Sequence, residues 1–353
     1  MRAENRLRWA GTWAVWWILP AWLGPALVST AAETGEDKTV ASPKITVARQ
    51  LGFGPAEKLL IIHGDDAGMC HSANVGTLEA MTAGVVSSAS AMVPCPWFPE
   101  FAQMSREHPD LDVGLHLTLT SEWKHYRWRP VTPINQVPGL IDDEGFMFRD
   151  VWGVMTNAEA SEVERELRAQ VERALAFGMK PTHVDSHMGT LFARPDFFGA
   201  YRKVANEFGL PYLLPKLSEE RLAKMDAGTR AMGKMILATM GDSNEFTVDD
   251  LVSISGDVPL EKQTAFYIDT IRGLKPGITE IIIHCGVDGP ELTAVSGSHR
   301  RRDMDRRAFM DPAVKKVIAE EGVRLLTWRE IGERQRKHLG LHANVKRPPG
   351  NTR

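Results

Sequence analysis

The chain has 353 residues, of which 43% are hydrophobic and 25% charged, a composition typical of one large α/β domain or two smaller globular domains. Its 42 basic and 45 acidic residues give a net charge of -3, which argues against a nucleic-acid-binding protein and against a polybasic membrane protein. The three cysteines, Cys70, Cys95 and Cys285, are too few for a disulfide scaffold, and no C-x-x-C spacing indicates a structural zinc site.

The N-terminus has the three parts of a secretory signal. Basic residues precede an apolar stretch over 9–28, and small residues follow over 29–32. We expect cleavage near Ala31 or Ala32 and therefore an exported protein, periplasmic or extracellular. The apolar stretch is also long enough to span a bilayer, so an uncleaved segment that tethers the protein to a membrane is the alternative. Residues 33–55 are then a linker.

From residue 56 onward, apolar runs alternate with helical patterns. The first half predicts strands over 59–63, 87–93 and 112–119, separated by helices over 72–83 and 98–108. A long loop over 121–150 follows, and it contains Trp123, Tyr126 and Trp128. Loops of this length inside a compact domain are usually functional or disordered, and these aromatic residues could stack on a sugar or simply pack in the loop.

The second half continues the alternation. Strands are predicted over 181–187, 212–215, 278–284 and 323–327, and helices over 158–177, 196–208, 260–273, 312–321 and 328–338. Residues 216–256 lack the rhythm and predict a mainly helical insertion, and the polar tail over 339–353 is predicted to be disordered. Repeated βα units predict parallel strands with right-handed crossovers, in either a barrel or an open sheet.

Four predicted strands end in or contain polar side chains that can bind a metal. These are the pair Asp65 and Asp66, His116, the group His183, Asp185 and His187, and His284. Each has a structural explanation by itself, as a solvated turn, a core histidine or a strand cap. Parallel strands bring their carboxyl ends to one edge of the sheet, where α/β folds place their chemistry. All four together therefore favour a functional site.

One carboxylate and two imidazoles form a three-ligand site that leaves positions open for water and substrate. We predict Asp66, His116 and His187 as ligands of one divalent ion, Mg or Zn first and Mn or Co as alternatives. Asp65 is the predicted base that takes a proton from water, and His284 the acid that protonates the leaving group. Asp185 and His183 are candidates for the residues that hydrogen-bond to the metal-binding histidines and fix the orientation of their rings.

Four stretches resemble the motifs of the YdjC/ChbG-like carbohydrate deacetylases, in the same order. They read I-H-G-D-D-A-G at 62–68, V-G-L-H-L-T-L at 113–119, P-T-H-V-D-S-H at 181–187 and I-H-C-G at 283–286. The family forms are N-A-D-D-F/W-G, G-x-H-x-x-L, T-H-x-D-S-H and C/I-H-P. The resemblance covers roughly residues 58–333 and assigns the metal and catalytic roles to the same five residues.

The resemblance implies a single domain over 56–338: a distorted (β/α) barrel of about seven parallel strands with an insertion over 216–256, related to the NodB-homology polysaccharide deacetylases. It also implies metal-dependent hydrolysis of an N-acetyl group on an amino sugar, oligosaccharide or glycolipid, with a metal-activated water as nucleophile. Departures fall on the pocket wall, where His63 and Gly64 replace Asn-Ala, Ala67 replaces an aromatic residue, and Cys285-Gly286 replaces the proline that commonly follows the last His.

Two other functions stay open at this stage. One is an exported carbohydrate-binding protein on an inactive deacetylase scaffold, although all five predicted site residues are present. The other is a metal-dependent phosphoesterase, which would usually need more carboxylates for a two-metal site. The expected partner is an N-acetylated carbohydrate, with no nucleic acid, and a homodimer and a membrane tether remain open.

Overall fold

The structure is a computed structural model that describes residues 47–223, 227–240, 245–254 and 256–339. The predicted signal or anchor, most of the linker and nearly all of the predicted tail lie outside the described residues. Within the described ranges, no helix is long and apolar enough to cross a membrane.

The described strands form one parallel sheet of seven strands, which confirms the predicted α/β fold. The strands are β1 (Lys58–Ala67), β2 (Ser88–Ala91), β3 (Val113–Leu117), β4 (Val184–Ser186), β5 (Asp250–Ser253), β6 (Gly277–Ile283) and β7 (Arg324–Leu325). Their order is β4-β3-β2-β1-β6-β5, and β7 also pairs with β1. Strand β1 is therefore central and pairs with β2, β6 and β7.

The helices follow the strands and cover the sheet. They are α1 (Val47–Gln50), α2 (His71–Thr82), α3 (Phe98–Glu107), α4 (Val151–Asn157), α5 (Ala160–Ala176), α6 (Pro195–Glu207), α7 (Glu219–Ala223), α8 (Ala227–Met240), α9 (Gln263–Arg272), α10 (Pro290–Val295), α11 (His299–Met310), α12 (Pro312–Glu320) and α13 (Trp328–His338). Short 3₁₀ turns lie at Ile134–Gln136, Pro138–Leu140, His187–Phe192 and Leu260–Lys262.

Strand β1 shows how the sequence positions the site. Leu60 and Ile62 belong to the large core under the helices, whereas Leu59 and Ile61 belong to a second core with Trp328. Side chains two residues apart share a face of a strand, so His63 continues the face of Leu59 and Ile61. That face is apolar at the beginning of the strand and becomes polar toward its carboxyl end.

Two predicted elements differ from the structure. Residues 212–215 form no strand but make isolated parallel bridges, Val184 with Tyr212 and Pro215 with Val248, which link the two edges of the sheet. The range 216–256 is more than a helical insertion, because Asp250–Ser253 forms β5 and pairs with β6 over four residues.

The helical prediction also needed two corrections. The helix predicted over 158–177 begins at Ala160, since Ala158 has an extended backbone with ψ 141 that separates α4 from α5. Helices α1, α4, α10 and α11 were not predicted at all. The charged stretch His299–Met310 has few apolar residues and therefore shows no apolar stripe that would predict a helix. In the structure one side of this helix is nevertheless buried.

Candidate metal and catalytic site

The two acidic residues lie at a distortion of β1. The pairing of β1 with β2 is regular to Gly64 and then shifts by a residue before Ala67. Asp66 has a φ of 63°, a left-handed conformation that aspartate tolerates better than most residues. In a regular strand Asp65 and Asp66 would point to opposite faces. The distortion instead brings both carboxylates within 4 Å of the same ring nitrogen, Nε2 of His116.

The three predicted ligands converge on one point. One ligand atom from each of Asp66, His116 and His187 lies within 4.8 Å of the other two, and all three residues are buried. The Oδ1 atom of Asp66 is 3.4 Å from Nε2 of His116 and 3.3 Å from Nδ1 of His187. Among the described contacts, this buried oxygen has no hydrogen-bond partner. The residues present therefore fit a metal ion held by Asp66, His116 and His187.

Each of the two predicted ligand histidines has its other ring nitrogen next to a carboxylate. Nδ1 of His116 is 2.6 Å from Oδ1 of Asp185, its register partner across β3 and β4. Nε2 of His187 is 3.2 Å from Oε2 of Glu122. Such carboxylate partners fix the orientation and tautomer of metal-binding histidines. Asp185 thus lies where the sequence analysis predicted it, against the ring of His116. Glu122 contacts the ring of His187 in the same way, and the sequence analysis missed it.

A buried polar network lies behind Asp65. Asp185 Oδ2 accepts from the hydroxyl of Ser90 at 2.7 Å and lies 2.9 Å from Nε2 of His63. The same nitrogen of His63 is 3.3 Å from Oδ1 of Asp65. Nδ1 of His63 is 4.0 Å from Glu280, which accepts from the indole N–H of Trp328. His63, where the resembling family has asparagine, therefore connects the proposed base to Asp185.

His183 contacts this network and not the predicted metal ligands directly. Its ring stacks on Trp328 with centroids 5.3 Å apart and meets the His63 ring edge-on at 5.0 Å. Burial and the neighbouring His63 lower the pKa of His183 to about 4, so the ring is neutral at neutral pH. A side chain at Gly114 would overlap the His183 ring, which gives a physical reason for the glycine in the second motif.

Arg302 is a second site residue that the sequence analysis did not find. It lies on the unpredicted α11 and reaches Asp66, with Nη2 2.7 Å from Oδ2. Both side chains are buried, and the guanidinium lies 5.7 Å from the ring of Trp123. Burial alone would raise the pKa of the Asp66 carboxyl, but Arg302 and the two histidines outweigh it and hold the pKa well below its usual range. Asp66 is thus kept ionised.

The two predicted catalytic groups flank this cluster. Burial raises the pKa of Asp65 to about 6, and its Oδ1 has no hydrogen-bond partner among the described residues. The His284 side chain is 37% exposed, and its Nε2 is 4.0 Å from Asp66. Its backbone N–H donates to Asp305, a buried carboxylate that also accepts from Tyr267. Desolvation lowers the pKa of His284, which favours the neutral ring.

The aromatic loop over 121–150 forms part of the surroundings of the site. Trp123 and Trp128 lie with ring centroids 5.2 Å apart, and Tyr126 donates its hydroxyl to the carbonyl of Met69. The loop is attached to α5 through Glu166, which accepts from the backbone of Val131 and Thr132 at 2.9 Å each. Trp128 is buried, so packing explains that residue better than sugar stacking does.

The three cysteines are free and buried. Cys285 directly follows His284 and precedes Gly286. A side chain at Gly76 of α2 would come within 2.6 Å of the backbone of Gly286. This close approach of the backbone of Gly286 leaves no room for a side chain at Gly76.

Comparison with known proteins identifies the family of this chain. The sequence model of a family described as "YdjC-like protein" matches residues 59–320, which is most of the chain. The chain belongs to the YdjC-like family. A YdjC-like relative, the carbohydrate deacetylase of Brevibacillus brevis, is 32% identical over 276 residues, covering 77% of this chain and 99% of that protein. The carbohydrate deacetylase of Thermus thermophilus is 32% identical over 284 residues, covering 80% and 97%.

A solved structure has the same fold as this YdjC-like chain. It is a putative cellobiose-phosphate cleavage protein from Enterococcus faecalis, with a TM-score of 0.65 and 25% sequence identity. The match covers 78% of this chain and 99% of that protein. Because nearly the whole of each relative is covered, the domain described here corresponds to their full length.

Proposed function

We propose that this protein is a metal-dependent hydrolase that removes an acetyl group from the nitrogen of an N-acetylated amino sugar, oligosaccharide or glycolipid. The observation that carries the proposal is the convergence of Asp66, His116 and His187 on one buried point beside Asp65. The proposal gains support from relatives named carbohydrate deacetylases that match this chain over nearly their full length.

Asp66, His116 and His187 would hold the metal. When bound, a divalent cation supplies Lewis-acid chemistry, since it polarises a carbonyl and makes water more acidic. Hydrolysis forms a C–O bond to the acetyl carbon and breaks its C–N bond. The attacking water loses a proton, and the leaving nitrogen gains one. The chain has to provide groups that move that proton.

Asp65 is our proposed base. It lies next to the cluster, its pKa is raised toward neutrality by burial, and His63 contacts its carboxylate on the inner side. A carboxylate of this kind can take a proton from water and release it again within one reaction.

His284 is our proposed acid, on the partly exposed side of the site. Desolvation lowers its pKa and favours the neutral ring, which holds no spare proton at the start of the reaction. The proton that reaches the leaving nitrogen then comes from the water, passed on by Asp65 either through His284 or directly. Comparing kcat of His284→Gln with that of Asp65→Asn separates the two routes.

Acetate release from a panel of N-acetylated sugars tests the function, with Zn²⁺, Mg²⁺, Mn²⁺ or Co²⁺ added singly to metal-free protein. We expect release that needs metal and that is lost in Asp66→Ala and His187→Ala, together with their metal binding. Full activity after complete metal removal would contradict the proposal. Tight sugar binding without acetate release under every metal would instead indicate a carbohydrate-binding protein.

A further inference from the structure

We propose that Glu122 is a positioning residue that sets the metal affinity of this site by holding the ring of His187 from the 121–150 loop. The inference rests on the metal-dependent function proposed above, and it adds a residue outside the motifs that carry the family resemblance.

The two nitrogens of His187 face different partners. Nδ1 is 3.3 Å from Oδ1 of Asp66, on the side of the ligand cluster. Nε2 is 3.2 Å from Oε2 of Glu122, on the side of the loop. A neutral imidazole has one N–H and one lone pair. If Nε2 donates its hydrogen to Glu122, the lone pair is on Nδ1, where a metal ion shared with Asp66 would need it.

His116 has the same arrangement with the nitrogens exchanged. Its Nδ1 lies on the carboxylate of Asp185, and its Nε2 faces Asp66. The two ligand rings are thus held in corresponding ways by two carboxylates from different parts of the chain. Asp185 comes from the sheet, whereas Glu122 comes from a loop. The ring of His116 is therefore held by a residue of the sheet, whereas the ring of His187 depends on a residue of the loop.

The loop is fixed tightly enough for Glu122 to have this role. Just before it, Gln170 on α5 bonds both the N–H and the carbonyl of Thr118, at 3.0 and 2.7 Å. Directly before Glu122, the hydroxyl of Ser121 accepts from the backbone N–H of Trp128 at 3.0 Å, which connects the residues on the two sides of Glu122. The side chain of Glu122 is only 18% exposed. These contacts restrict the carboxylate to the neighbourhood of His187.

Carboxylate partners of ligand histidines typically change metal affinity by about 10–100-fold when they are removed. We therefore expect Glu122→Ala to raise the dissociation constant of Zn²⁺ by about that factor. Glu122→Gln keeps an acceptor oxygen at nearly the same place but lacks the negative charge, so its dissociation constant should fall between those of the wild type and Glu122→Ala.

The experiment is a competition titration of metal-free full-length protein against a fluorescent chelator, with Zn²⁺ and with Mn²⁺. Glu144→Gln is the matched control, since Glu144 lies on the same loop, is 61% exposed and pairs with Arg127 and Arg149 rather than with a histidine. Its dissociation constant should equal that of the wild type. If Glu122→Ala fails to fold, the nearly isosteric Glu122→Gln carries the test.

The outcomes separate this inference from the function on which it rests. If the wild type binds metal and both Glu122 variants bind it equally tightly, the role of Glu122 is wrong and the metal site stands. If the wild type binds neither ion, the metal site itself is wrong and the role of Glu122 is wrong with it. Weakening by Glu144→Gln to the same extent would also overturn the inference, because the effect would then belong to loop charge in general.

Discussion

Replacing Arg302 by methionine should destabilise the metal-free protein and should make metal binding more stabilising than it is in the wild type. The guanidinium is buried and lies 2.7 Å from the buried carboxylate of Asp66. Methionine keeps much of the length and volume of the side chain, so the main loss is the charge. Removing one partner of a buried ion pair typically costs about 3–5 kcal/mol, because the other charge stays buried without compensation.

The lower end of that range applies here. Oδ1 of Asp66 also lies 3.4 Å from His116 and 3.3 Å from His187, and either ring can carry a positive charge in the absence of metal. We therefore expect a loss of about 3 kcal/mol in EDTA. With saturating metal the loss of stability should be smaller. A divalent ion places positive charge beside Asp66, and in Arg302→Met this ion is not repelled by a neighbouring guanidinium.

Urea unfolding followed by circular dichroism, in EDTA and with added Zn²⁺, measures both effects. Arg301→Met is the matched control on the same helix. Its guanidinium donates to the carbonyls of Gly256 and Val258 and has no contact with Asp66. That variant should gain the same stability from metal as the wild type does. An Arg302→Met protein that unfolds at the wild-type midpoint in EDTA, or that gains no extra stability from metal, would refute the reasoning.

Three further predictions concern stability and processing. Gly114→Ala should cost about 1–3 kcal/mol in urea unfolding, because its methyl group would overlap the His183 ring; wild-type stability would mean that the ring can move away. Burial raises the pKa of Asp305 to about 6, so the folded protein keeps a proton that the unfolded chain releases from about pH 4 upward. Wild-type stability should therefore fall by on the order of 3 kcal/mol between pH 4 and 6 relative to Asp305→Asn, and equal pH slopes would contradict this. Intact mass measurement after expression in an exporting host should show cleavage near Ala31 or Ala32, and an unprocessed mass would favour the uncleaved anchor.

The sequence was sufficient to predict that Asp66, His116 and His187 meet, because each lies at or near the carboxyl end of a buried strand. In a parallel sheet the ends of the strands share one edge, so chain order alone predicts that Asp66, His116 and His187 come together. The same rule could not predict how Asp65 and Asp66 point. Regular alternation puts them on opposite faces, whereas the positive φ of Asp66 turns both toward His116.

Glu122 and Arg302 could not be predicted in this way. Glu122 lies in a loop, where no periodicity indicates the direction of a side chain. Arg302 lies on α11, whose charged sequence resembles a solvated surface, yet one arginine of that run is buried against Asp66. Residues 212–215 show the opposite error, since an apolar run with strand propensity forms only isolated bridges. In each case contacts distant in sequence decide the outcome.

The attachment of the 121–150 loop to α5 has a consequence for how such proteins diverge. Glu166 and Gln170 hold the loop through its backbone, at the amides of Val131 and Thr132 and at both groups of Thr118. Backbone contacts of this kind do not depend on which side chains the loop carries. Exchanging a side chain of the loop therefore leaves these particular attachments in place. The protein can acquire a new ligand preference at the loop while the acidic and histidine residues on the strands stay unchanged.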